Sequence, residues 1–100
     1  MRIAIVFGLL LIGAVHLQAD YYNDGVVAYN SGDFMKAKEL WSKVCDSGVA
    51  IGCSSLATMY YNGEGIQQDY AKAKEFYTKA CDIGYDRGCK NSAILTLAVN

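Results

Sequence analysis

One hundred residues with nine Lys or Arg against ten Asp or Glu carry a net charge of −1 and leave room for one domain. There is no basic excess to attract nucleic acid and no polybasic cluster to hold a membrane surface.

The chain opens with Met1-Arg2, continues through an apolar run from Ile3 to Val15, and reaches Leu17-Gln18-Ala19. A basic start, a short apolar core and a small last residue predict a secretory signal peptide over residues 1–19. The run of 13 residues falls short of the ~20 that a spanning helix needs, so no membrane anchor is expected after cleavage. The expected mature chain is 20–100, secreted or periplasmic. It loses Arg2 and His16, so eight basic side chains face ten acidic ones, 8 − 10 = −2, and no histidine remains.

Tyr22, Gly25, Val26 and Tyr29 fall at helical steps, and Asn30-Ser31-Gly32 breaks that pattern. Asp33 stands where an N-cap belongs, ahead of an apolar stripe of Phe34, Ala37, Leu40, Trp41 and Val44; Gly48 marks the end of this second helix. Cys53, Leu56, Ala57 and Tyr60 form the next face, and Asn62-Gly63-Glu64-Gly65 breaks it in a loop four residues longer than the first. Glu64 reads as a solvated turn residue. Asp69 then caps a helix with the stripe Tyr70, Ala73, Phe76, Tyr77 and Ala80, ended by Gly84, and Tyr70 and Tyr77 are expected in the core. Residues 89–99 look like one more leading helix.

These elements repeat. Cys45 to Cys81 and Cys53 to Cys89 are both 36 residues apart, and residues 33–48 match residues 69–84 at nine of sixteen positions. A helix pair cannot bury its apolar face alone, so the pairs should stack. The expected fold is all-α, a short α-solenoid of about two and a half helix-turn-helix repeats. The first pair spans 20–48, the second 49–84, and a half-repeat helix 85–100. The four cysteines on a short exported chain read as a disulfide framework, with four buried reduced thiols as the alternative and three pairings open. Without histidine the mature chain shows no zinc-ligand pattern, and no cofactor or metal is expected.

Leu56-Ala57-x-x-Tyr60-x-x-Gly63-x-Gly65-Ile66, followed by Asp69-x-x-Lys72-Ala73-x-x-x-Tyr77-x-Lys79-Ala80-Cys81-x-x-Gly84, resembles a Sel-like repeat. Gly25-x-x-Ala28-x-x-x-Gly32-Asp33-Phe34-x-x-Ala37 is closer to the plain tetratricopeptide pattern. A Cys-x₇-Cys pair in each repeat resembles the Helicobacter cysteine-rich protein family. The likeness covers Tyr22 to about Thr96. It implies the local pairing, Cys45 with Cys53 and Cys81 with Cys89, each bridge clamping two consecutive helices where their ends meet. Two departures stand out: the family has more repeats, which leaves a fragment of a longer repeat protein as one reading, and the tail carries apolar Ile94, Leu95, Leu97 and Val99.

The resemblance implies two functions. The first is a scaffold for a protein or peptide, bound along the concave wall of the leading helices. Tyr29, Asn30, Tyr61 and Asn62 are the candidates there, because a tyrosine ring offers contact area and a hydrogen bond; packing and turn formation are their other reading. The second is penicillin binding with weak β-lactamase activity. Ser-x-x-Lys, Ser-Asp-Asn and Lys-Thr-Gly are all absent from the chain, so no catalytic residue is assigned. Ile94, Leu95 and Leu97 are expected either to fold back on the preceding pair or to form a patch for a partner or a second copy.

Overall fold

The computed structural model describes residues 17–99, so the apolar run of the expected signal peptide lies outside the described residues. Helix α1 runs through residues 17–30, followed by α2 (Phe34–Asp46), α3 (Ala50–Asn62), α4 (Tyr70–Ile83) and α5 (Asp86–Val99). There is no strand among the described residues. Consecutive helices pack as antiparallel neighbours joined by short turns, except for the longer loop 63–69 between α3 and α4, and form a short all-α solenoid.

Local chemistry sets the helix ends. The Asp33 carboxylate accepts from the Lys36 amide at 3.2 Å, and Asp69 from the Lys72 amide at 3.0 Å, each satisfying a donor left free in the first turn. The other ends share a turn. Gly84 caps α4 with φ 109°, and Gly48 follows the Ser47 cap of α2 with φ 83°. In that left-handed conformation the Gly48 N–H donates to the Cys45 carbonyl at 2.9 Å and the Gly84 N–H to that of Cys81 at 2.8 Å. The chain reverses within three residues, and the next helix starts beside the last turn of the one before.

Disulfides close both reversals. Cys45–Cys53 and Cys81–Cys89 hold Cα atoms 4.5 and 4.6 Å apart. Such closeness requires a bare backbone next to the second cysteine. A Cβ on Gly52 would stand 2.6 Å from Val44 Cγ1 and 2.9 Å from the Cys45 nitrogen; on Gly88 it would stand 2.7 Å from the Tyr77 carbonyl oxygen and 2.9 Å from the Cys81 nitrogen. These two glycines, 36 residues apart, are the crossing points of the two stapled pairs.

One buried cluster joins the repeats. It takes Ala28 from α1, Ala37, Trp41 and Cys45 from α2, Cys53, Leu56 and Met59 from α3, and Ala80 from α4. A second gathers Ala57, Ala73, Tyr77 and Leu95. Ring size is matched to the facing helix. Trp41 lies against Gly25, where a Cβ would come within 2.7 Å of Trp41 Cδ1, whereas the smaller Tyr77 shares its cluster with Ala57.

Of the two readings of the tail, Leu95 follows the first: it is 2% exposed and folds back into the second cluster, as Met59, 36 residues earlier, fills the first. Ile94 and Leu97, at 61% and 84% exposure, face solvent. Tyr70, expected in the core, is exposed. Its counterpart Phe34 is covered by the loop at Gly65 and Ile66, whereas Tyr70 leans on Tyr61 with ring centroids 5.1 Å apart.

Candidate functional site

The long loop between α3 and α4 does not project into solvent. The Tyr29 hydroxyl donates to the Glu64 carboxylate, and the Asn62 amide donates to the other oxygen of the same carboxylate at 3.1 Å. Glu64 therefore ties the end of α1 to the end of α3. The hydrogen bond to Glu64 raises the Tyr29 phenol above its ordinary value of 10.0, and burial and the nearby negative charge act in the same direction. Gly65 lies against Phe34, Ile66 joins the first cluster, and the Gln68 amide donates to the Tyr61 carbonyl at 2.8 Å. The four extra residues bind the second repeat to the first. Glu64, read from the sequence as a solvated turn residue, is half-buried and bonded on both oxygens.

This fixes where the four candidate residues stand. Tyr29 is half-buried, its ring 5.3 Å from Phe34 and 5.5 Å from Trp41. Asn30 and Asn62 are exposed, and Tyr61 is 43% exposed. Glu64 brings Tyr29 and Asn62 together, while Tyr61 faces the other way, toward α5. There it lines a pocket of about 170 Å³ with Tyr77, Asn91 and Ile94. The Tyr77 hydroxyl forms a hydrogen bond of 2.8 Å with Thr58 Oγ1, which fixes its orientation. Two rings, an aliphatic side chain and an amide that both donates and accepts offer contact area and hydrogen bonds. Ile94 was expected in a candidate patch, whereas Asn91 and the pairing of both with Tyr61 escaped the sequence reading. Their signal is that, one repeat back, they align with Ser55 and Thr58, on the α3 face that also carries Tyr61 and Asn62.

The Sel1 repeat family matches residues 50–85, a span that contains α3 and α4 with the loop clamped by Glu64. Residues 50–85 thus match one Sel1 repeat. Three Helicobacter pylori proteins are similar to it. HcpD is 35% identical over 49 residues, which are 49% of this chain and 16% of HcpD. HcpE is 43% identical over 45 residues, 45% of this chain and 13% of HcpE. HcpC is 35% identical over 64 residues, 61% of this chain and 22% of HcpC. Each of the three is named as a "Putative beta-lactamase". The chain thus spans less than a quarter of the length of these relatives.

Proposed function

We propose that this chain is an exported helical-repeat scaffold, secreted or periplasmic, that binds a protein or peptide on the face of its leading helices α1, α3 and α5. The pocket between Tyr61 and Ile94 carries this reading. It sits between two helices held in fixed relation through α4, the Cys81–Cys89 bridge and the second buried cluster, so little ordering is needed on binding. One apolar side chain of a peptide fits its volume, and the Asn91 amide matches the donor and acceptor of a peptide bond. Asn30, Asn62 and Leu97 extend the exposed surface beyond it. The basic and apolar start of the sequence and two disulfides, which persist in oxidising compartments, support export.

The test is selection of peptides from a random library on the immobilised oxidised chain, repeated with Ile94→Asp and Tyr61→Ala. The reading expects enriched peptides with an apolar anchor, bound at least about tenfold more weakly by either variant. Absence of enrichment, or equal binding by the variants, contradicts it. Sedimentation velocity with Leu97→Lys tests whether the occupant is a second copy.

The relatives' names favour a second reading, β-lactam hydrolysis. The Tyr29 hydroxyl argues against its own use as a base, because Glu64 makes it hold its proton more tightly. Nitrocefin turnover by the oxidised chain, saturable and lost on reduction, would establish this reading; a rate equal to buffer would remove it.

A further inference from the structure

The two disulfides look alike in sequence but differ in their surroundings. Cys45 and Cys53 are 5% and 0% exposed and belong to the cluster that Ala28, Trp41, Leu56 and Met59 build around them. Cys81 and Cys89 are both partly exposed and belong to neither buried cluster. We propose that Cys81–Cys89 is a thiol-exchange site, open to a low-molecular-weight thiol such as reduced glutathione, whereas Cys45–Cys53 is a closed structural staple.

The helix positions assign the sulfur that is attacked. Cys81 lies in the last turn of α4 and Cys89 one turn into the 14-residue α5. A thiolate near a helix N-terminus is stabilised by the free amides there, and the more stable thiolate is the better leaving group. Glutathione thiolate therefore attacks Cys81 Sγ. A bond forms between the glutathione sulfur and Cys81 Sγ, the bond between Cys81 and Cys89 breaks, and its electron pair leaves on Cys89 Sγ. This first step exchanges one disulfide for another. A second glutathione thiolate attacks the sulfur of the first glutathione, frees Cys81 as thiolate and departs as glutathione disulfide; the two glutathiones supply the two electrons. At Cys45–Cys53 the same attack must wait for the first cluster to open.

The test exposes the oxidised full chain to reduced glutathione, quenches with iodoacetamide at intervals and maps the cysteines by peptide mass spectrometry. The expected first product carries glutathione on Cys81 and the alkyl group on Cys89. Cys45 and Cys53 should follow at least about tenfold more slowly, the ratio set by an opening cost of ~1.4 kcal/mol. Equal rates, or earlier loss of Cys45–Cys53, overturn the proposal, and a first adduct on Cys89 overturns the assignment of the attacked sulfur. In a Cys81→Ser, Cys89→Ser variant the fast phase should vanish while the slow one remains; a surviving fast phase also overturns it. The wild-type time course decides the matter if that variant does not fold.

Discussion

Gly52→Ala sets two opposed effects against each other. Alanine favours a helix interior over glycine by ~1 kcal/mol, so propensity alone predicts a more stable protein. The crossing predicts the reverse. The new methyl carbon would stand 2.6 Å from Val44 Cγ1, 2.8 Å from Val44 Cβ and 2.9 Å from the Cys45 backbone nitrogen. Only Val44 could turn aside, and Val44 is itself 0% exposed, while the disulfide keeps the Cys45 and Cys53 Cα atoms 4.5 Å apart and prevents the helices from separating. Overpacking of this kind costs ~1–3 kcal/mol. With all three neighbours fixed the upper part of that range applies, which leaves a net loss of ~1–2 kcal/mol. For a domain of this size each kcal/mol moves the midpoint by ~4–8 °C. Thermal unfolding of the oxidised protein, followed by far-UV circular dichroism, should show a Tm lower by ~4–16 °C. Gly88→Ala should act in the same direction, since its methyl would meet the Tyr77 carbonyl oxygen and the Cys81 nitrogen, both backbone atoms. An unchanged or raised Tm in Gly52→Ala would refute the reasoning, because the crossing would then have room for a side chain.

Gly25→Ala should destabilise by ~1–3 kcal/mol in the native background and by far less when Trp41 is Tyr, because the Tyr77 cluster accommodates Ala57; a double-mutant cycle by urea unfolding reads this coupling, and additive effects contradict it. Tyr29→Phe removes the bond to Glu64 and should cost ~1 kcal/mol at neutral pH by the same assay. The raised Tyr29 pKa gives the pH sign. The unfolded state loses this proton first, so the contribution of Tyr29 is complete below pH 10.0 and fades as pH rises through the higher folded value. The cost of Tyr29→Phe should therefore shrink in strongly alkaline buffer, and a cost that stays constant there argues against the bond.

The repeat made most of the fold legible. Residues 33–48 and 69–84 carry the same cap, stripe and terminal glycine, and those are local features that spacing records directly. Glu64 was not legible, because its partner Tyr29 lies 35 residues away and a glutamate between glycines looks like any solvated turn. Gly52 and Gly88 were passed over for a related reason: a helical glycine reads as a weak point until the neighbouring helix is known to press against it. Which of the tail's apolar residues turns inward was not legible, because the burial of Leu95, like that of Met59, depends on the preceding leading helix. Tyr70 shows the converse. Its stripe position is correct, but burial there requires a loop folded over it, as residues 63–69 fold over Phe34.

The two stapled helix pairs are expected to form a single body that depends on its covalent bridges for stability. On the chain-entropy model each bridge closes a loop worth ~2.5 kcal/mol, so both together rival the ~5 kcal/mol expected of a domain this small. The most direct measurement is thermal unfolding of residues 20–100 with and without excess reductant. A cooperative transition is expected when oxidised, and loss of most helical signal at ambient temperature once both bridges are reduced. A Tm unchanged by complete reduction would contradict it.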